Sequence, residues 1–353
     1  MSTLFDPLQV GPLRLPNRII MAPLTRSRAT PDGRVPVPLM AEYYTQRATA
    51  GLIITEATSV GPMGVGYADT PGIWSDEQTD GWKLVTKSVH DAGGRIFLQL
   101  WHVGRISDPS FLDGKPPVSA SAIAAKGDVS LLRPKRPFPV PRALETEEIP
   151  GIIAAYKKGA QNAKAAGFDG VEIHGANGYL LDQFLQDSSN RRTDAYGGTR
   201  EKRARLMLEV ADAVAEVWGP QRVGMHLAPR GDAHDMGDSD RLGTFTYVAR
   251  ELGKRDIAFI LAREARKEDS IGPAMKEAFG GIYIANEGFT KESAEKALTD
   301  GVADAVAFGK LIIANPDLVA RFKAGAPLNE WDMPTFYSGG AKGYTDYPAL
   351  GRP

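Results

Sequence analysis

The chain has 353 residues, 42% of them hydrophobic, enough to bury a large core as one barrel or as two smaller domains. Its 42 basic and 43 acidic residues nearly cancel, and a formal charge of −1 argues against nucleic acid or an anionic membrane as the main partner. Cysteine is absent, which excludes disulfides, thiolate catalysis and cysteine-held iron–sulfur clusters.

The first residues, Met1 to Leu8, contain neither a basic segment nor an apolar stretch, and no run approaches a membrane span. A soluble cytoplasmic protein is the expectation. Residues 1–16 suggest a short hairpin around Val10, Gly11 and Pro12 that plugs the bottom of the fold. Short β-branched runs then alternate with helical patterns along the whole length. The predicted strands are Arg18–Met21, Leu52–Thr55, Ile96–Leu100, Gly170–Ile173, Val223–Leu227, Ile257–Leu261, Gly281–Ala285 and Ala305–Phe308. Between them lie stretches such as Glu201–Val217, whose apolar residues fall at helical spacing.

Eight such alternations predict a single α/β domain over residues 1–353, a closed (β/α)8 TIM barrel. A doubly wound sheet would use fewer strands and a Gly-rich first turn, and no G-x-G-x-x-G follows any strand. Residues 103–144, rich in Pro, Ser and basic residues, follow the third strand as a long capping insertion. A loop of that length at a strand's C-terminal end is a candidate lid.

With the strands in place, the chemically suggestive residues fall on one rim. The first strand runs into Pro23, Leu24 and Thr25, the second into Glu56 and Ala57, and the third carries Gln99, Trp101 and His102. The fourth enters His174-Gly-Ala-Asn177-Gly-Tyr179, and the fifth contains His226. Strand C-terminal ends form the active-site face of an α/β barrel. A neutral imidazole and an amide are both donors, so His174 and Asn177 can converge on one acceptor oxygen, and Tyr179 adds a weak acid. A lone His-x-x-Asn is more often a satisfied core feature than a site. The seventh and eighth strands open into Asn286-Glu287-Gly288 and Gly309-Lys310, where barrels commonly build a phosphate pocket. Together these features imply a phosphate-bearing ligand lying across the barrel mouth.

Longer segments carry a resemblance that covers nearly the whole chain. They include Asn17 through Arg26, Gly66 through Trp74, Gln99 through Arg105, Pro141 through Glu145 and His174 through Phe184. Asn190 through Gly198, Ala314 through Leu318 and Thr335 through Tyr337 complete the series. In these motifs the chain resembles the Old Yellow Enzyme family of FMN-dependent ene-reductases, close to the bacterial N-ethylmaleimide and pentaerythritol tetranitrate reductases. The resemblance implies noncovalent FMN, NAD(P)H as a transient hydride donor, and a ping-pong reduction of activated alkenes. These would be unsaturated aldehydes and ketones, maleimides and nitroalkenes, handled by a monomer or homodimer.

The resemblance also implies roles. Thr25 would bond the flavin C4 carbonyl, Pro23, Leu24 and Ala57 would line the ring, and Gln99 would reach the pyrimidine edge. Glu287, Gly288, Gly309 and Lys310 would hold the phosphate. His174 and Asn177 would bind the substrate oxygen while Tyr179 protonates the α-carbon. Tyr67, Trp101, Arg142 and Tyr337 would shape the substrate pocket.

Three positions depart from the family pattern. His226 stands where most relatives carry an Arg facing the flavin N1/C2=O edge, and a histidine is charged only where its environment favours it. Lys310 replaces an Arg at the phosphate, keeping charge but losing bidentate geometry. Glu287 replaces a common Gly and is expected to turn its carboxylate away and offer its amide. The loop from Gly231 to Asp240 lacks recognisable metal-ligand spacing, so no metal is expected. Competing readings are a flavin enzyme acting on nitrate esters, nitroarenes or dienoyl thioesters, a sugar-phosphate isomerase or aldolase using Glu172 or Glu56, and a flavin store.

Overall fold

Strands buried on both faces belong to parallel sheets covered by helices, and all eight residues of Leu52–Ser59 are buried. The computed structural model describes residues 2–230, 233–265, 267–337 and 339–351. An antiparallel hairpin of β1 (Leu8–Val10) and β2 (Leu13–Leu15) precedes the barrel strands β3 (Ile19–Met21), β4 (Leu52–Ser59) and β5 (Ile96–Trp101). Two short strands, β6 (Val118–Ser119) and β7 (Arg142–Ala143), pair with each other inside the insertion. The barrel resumes with β8 (Gly170–His174), β9 (Val223–Leu227), β10 (Phe259–Arg263), β11 (Ile282–Asn286) and β12 (Ala305–Phe308). The sheet closes, with β12 hydrogen-bonded to β3 and every neighbouring pair parallel. The expected (β/α)8 barrel is therefore present.

Two strand boundaries differ from expectation in ways that matter for the mouth. The sixth barrel strand lies two residues later than predicted, because Arg263 still pairs with Asn286 of β11. The second is four residues longer than predicted, and its pairing with β5 shifts between Ile54 and Ala57. Such a bulge re-aims the side chains beyond it.

The interior is packed by side chains of Ile20, Leu52, Ile54, Phe97, Phe259, Leu261 and Ile284. Two glycines make room for its rings. A Cβ on Gly170 would stand 2.3 Å from Phe97 Cζ, and one on Gly224 2.2 Å from Phe259 Cζ. Leu8, Val10 and Leu15 of the hairpin join this cluster and close the bottom of the barrel.

The helix Asp76–Asp91 begins with a reciprocal capping box between Ser75 and Gln78. The helix Arg200–Trp218 matches the predicted pattern and buries Leu206, Leu208, Val210 and Val214 against the barrel. The insertion packs Ala125, Val129 and Phe138 onto Tyr67 and Trp101 at the opposite, C-terminal end. It sits over the mouth as a lid.

Candidate active site

A buried carboxylate organises the rim at β3 and β4. Glu56 Oε2 accepts the backbone N–H groups of Arg26 (3.0 Å) and Ser27 (3.2 Å), and the Tyr44 hydroxyl donates to Oε1 at 3.4 Å. Those bonds fix the loop carrying Pro23, Leu24 and Thr25. The Arg26 guanidinium donates to the carbonyls of Phe336 (3.0 Å) and Gly343 (2.7 Å), and Arg28 donates to Thr335 and Phe336. The C-terminal segment is thereby drawn across the mouth, which brings Tyr337 to the cavity.

That cavity has a volume of about 630 Å³ and is lined by ten of the residues singled out above. They are Pro23, Leu24, Thr25, Ala57, Tyr67, Gln99, His174, Asn177, Tyr179 and Tyr337. Asp128, Val129, Ser130, Leu131, Arg133 and Lys135 of the insertion line it from above.

At the end of β8 the backbone turns sharply, with Asn177 in the left-handed region at φ 58°. His174 Nδ1 accepts the Ala176 N–H at 3.4 Å, which leaves the ring proton on Nε2. Burial, reinforced by His226, His234 and Arg263, holds the His174 pKa well below its ordinary value, so the ring is a neutral donor. Tyr179 lies edge-on to it, ring centroids 4.9 Å apart. Burial, then the neighbouring Tyr67, pushes the Tyr179 phenol well above 10, which keeps it protonated. Its hydroxyl is 3.0 Å from that of Tyr67, which in turn lies 3.4 Å from His234 Nε2.

Beneath these groups runs a polar layer. The Gln99 amide donates to Glu172 Oε2 at 2.7 Å and to His226 Nδ1 at 3.1 Å. The His226 proton is therefore on Nε2, which is buried and without a partner among the described residues. Burial, aided by the charge of Arg263, pushes the His226 pKa down to about 3. An imidazolium is disfavoured at this position. Burial also raises Glu172 to about 8, opposed by the Gln99 bond, so this carboxyl is protonated at neutral pH.

A charge stands across the mouth. Arg263, the last residue of β10, lines the cavity. Its Nη1 donates to Asn177 Oδ1 at 3.0 Å, and its Nε pairs with Glu287 Oε2 at 2.9 Å. Nη2 reaches Glu287 Oε1 at 3.2 Å, completing a forked pair.

The residues 3–329 match the model of the NADH:flavin oxidoreductase / NADH oxidase family. The chain belongs to this family. It is 45% identical to a probable flavin mononucleotide-dependent alkene reductase of Leishmania infantum, over 99% of this chain and 98% of the relative. With 12-oxophytodienoate reductase 1 of Oryza sativa subsp. japonica it shares 44% identity over 98% and 93% of the two chains. An old yellow enzyme homologue from Zymomonas mobilis superimposes with a TM-score of 0.96 at 46% identity, covering 99% of this chain and 100% of the other. Morphinone reductase in complex with tetrahydroNAD gives 0.95 at 51% identity, covering 99% and 98%. The family resemblance carried by the sequence motifs holds, and the chain is an FMN-dependent oxidoreductase.

Family membership lets the arrangement be tested against FMN. The lining suits a flavin ring, with apolar groups at Pro23, Leu24 and Ala57 and an amide at Gln99, and just below it lies a buried His226 N–H that has no partner among the described residues. At the end of β12, where the phosphate is expected, Gly309 has no side chain, and a Cβ there would meet Leu24 Cδ1 at 2.9 Å. Glu287 and Gly288 both take positive φ, 95° and 73°. The Glu287 carboxylate is turned to Arg263. Lys310 rests over the Trp331 ring, 5.8 Å from its centroid.

Seven of the expected site residues do not line the cavity: Glu287, Gly288, Gly309 and Lys310 at the ends of β11 and β12, and Arg142, Trp101 and His226. Arg142 is exposed outside the mouth and makes a forked pair with Glu148, at 2.6 and 2.8 Å. It lines a different groove, with Pro116 and Ile152. Trp101 is fully buried behind the cavity wall, stacked on Tyr67 at 5.4 Å. His226 lies below the lining, beside His174 with centroids 5.0 Å apart.

Sequence reasoning missed Arg263 and His234. Arg263 continues the inward alternation of Phe259 and Leu261, so extending the sixth strand by two residues would have found it. His234 sits in the loop from Gly231 to Asp240, to which no site role was given, yet its Nδ1 donates to the Asn177 carbonyl at 2.6 Å. Gly231 and Asp232 of that loop lie outside the described residues.

Proposed function

We propose that the protein is an NAD(P)H-dependent ene-reductase that saturates C=C bonds conjugated to a carbonyl or nitro group. The observation that carries this is the convergence of two neutral donors, His174 and Asn177, beside a phenol that burial keeps protonated. Bound FMN supplies hydride chemistry, accepting from a nicotinamide and delivering to the alkene. The chain's own residues do the rest. His174 Nε2–H and the Asn177 amide hold the substrate oxygen and stabilise the negative charge that grows there as the β-carbon is reduced. Tyr179 gives its proton to the α-carbon. Thr25 and Gln99 hold the polar edges of the ring system, while Gly288, Gly309 and Lys310 hold its phosphate.

One mouth of about 630 Å³ serving donor and acceptor in turn supports a ping-pong sequence. Relatives named for alkene and 12-oxophytodienoate reduction, and a neighbour solved with tetrahydroNAD, support the substrate and donor classes. The lid and Tyr337 give the pocket its outer wall.

The test is spectroscopic. The protein reconstituted with FMN should bleach anaerobically on addition of NADH or NADPH and recover its colour on addition of 2-cyclohexenone. A protein that holds no FMN overturns the reading. So does one that bleaches but is not reoxidised by any enone, maleimide or nitroalkene, which would mark a flavin store.

A further inference from the structure

We propose that Arg263 is the standing cation of the strand rim in this active site: among the barrel strands it carries the positive charge that His226 does not, and it aims the Asn177 amide at the substrate oxygen. This rests on the FMN-dependent reading above.

Three observations lead there. First, inward-facing positions at the top of adjacent strands are His174 on β8, His226 on β9 and Arg263 on β10, with His174 in register with His226 and His226 with Leu261. Arg263 is the charged member of that row, because both imidazoles are buried and neutral. A guanidinium stays charged at every accessible pH, so its field does not depend on the surroundings.

Second, Arg263 makes a specific contact with the reacting groups. Its Nη1 donates to Asn177 Oδ1 at 3.0 Å. An amide whose oxygen is held this way has its NH₂ directed elsewhere, and only the NH₂ can donate to a substrate oxygen. Asn177 cannot flip without breaking a charge-assisted bond.

Third, the guanidinium has a holder. Glu287 engages Nε and Nη2 together from the end of β11, at 2.9 and 3.2 Å. It does so from a backbone at φ 95°, a conformation costly for a residue with a side chain. The pair also accounts for a carboxylate being tolerated near a phosphate pocket. Its charge is answered by Arg263.

Positive charge at the mouth favours the reduced cofactor, which carries more negative charge than the oxidised form, and favours the developing substrate oxyanion. Arg263 thus acts on Asn177 as a positioning residue and on the bound ring as a source of field.

The test is the midpoint potential of bound FMN in four proteins: wild type, Arg263→Gln, Arg263→Lys and Glu287→Gln. Arg263→Gln removes charge while keeping a donor for Asn177, so the potential should fall. A tenfold loss of preference for reduced over oxidised FMN corresponds to about 30 mV for a two-electron couple. Glu287→Gln removes the opposing charge, so the potential should rise. Arg263→Lys should keep the wild-type potential but raise KM for the enone, because a single ammonium cannot fork between Glu287 and Asn177.

Shifts of Arg263→Gln and Glu287→Gln in the same direction overturn the assignment, as do superimposable curves; either marks the pair as a structural strap. If Arg263→Gln does not retain FMN, Glu287→Gln decides alone, and a potential that fails to rise overturns the proposal. A wild-type protein that binds no FMN sinks the functional reading itself, a separate failure.

Discussion

The two sides of the barrel mouth solve opposite problems. At the end of β8, His174, Asn177 and Tyr179 are neutral hydrogen-bonding groups, and desolvation keeps His174 neutral and Tyr179 protonated. At the ends of β10 and β11 stand full charges, Arg263 and Glu287, left 34% and 38% exposed and paired with each other. Burial of an unpaired charge is costly, whereas burial of a neutral donor costs little once an acceptor arrives. On the proposed function, proton transfer to carbon is set on the β8 side, while cofactor grip and electrostatic bias belong to the side of β10, β11 and β12.

The largest expected effect breaks the β8 side alone. Tyr179→Phe removes the phenolic proton while keeping the ring against His174. Enone turnover should fall by roughly two to four orders of magnitude, the usual contribution of a positioned general acid. Bleaching by the nicotinamide donor should survive, which stopped-flow measurement of the two half-reactions checks. A smaller loss is expected from His174→Ala, which leaves the substrate oxygen with Asn177 as its remaining donor. Losing a hydrogen bond to a group gaining charge, about 1.5–3 kcal/mol, predicts a roughly ten- to hundredfold fall in kcat/KM. Unchanged kcat/KM would remove His174 from the oxyanion site.

These two variants touch what was legible in the sequence, and the reason is local. His174, Asn177 and Tyr179 lie within six consecutive residues at the end of one apolar strand, so strand placement alone puts them on the rim. Eight β-branched runs separated by helical patterns likewise declared the barrel. The pair Arg263–Glu287 joins residues 24 apart in sequence on neighbouring strands, and it becomes visible only once the register of β10 and β11 is known. Arg142 shows the converse. Its motif matched the family, but its side chain found Glu148 six residues away and left the mouth. His234 was hidden for a related reason: a polar loop pattern does not say which of its side chains folds inward.

On the cofactor side the effects are smaller. If Lys310 holds the phosphate as proposed, Lys310→Arg puts a planar fork there and should tighten FMN binding by roughly three- to tenfold, as expected for bidentate over point-charge recognition. Fluorescence titration of the cofactor-free protein reads it, and weaker binding by the Arg variant would place Lys310 away from the phosphate.

The smallest effect concerns stability. Glu172 has a native pKa raised by burial to about 8 from an ordinary 4.5. Between those pH values the native protein keeps a proton that the unfolded chain gives up. Stability therefore falls as pH rises through that window. Glu172→Gln carries no proton to release, so its Tm should decline less steeply from pH 5 to 8 than that of the wild type, measured on cofactor-free protein. Parallel Tm curves would mean that Glu172 is ionised in the native state.

The division between the two sides is tested most directly by two quantities read on the same preparations of Tyr179→Phe and Lys310→Met. They are the single-turnover rate of reoxidation by 2-cyclohexenone and the FMN dissociation constant. The account predicts a crossed result: Tyr179→Phe slows reoxidation and leaves FMN affinity unchanged, while Lys310→Met weakens FMN and leaves reoxidation of the saturated enzyme unchanged. If either variant moves both quantities together, the mouth does not divide its work between its two sides.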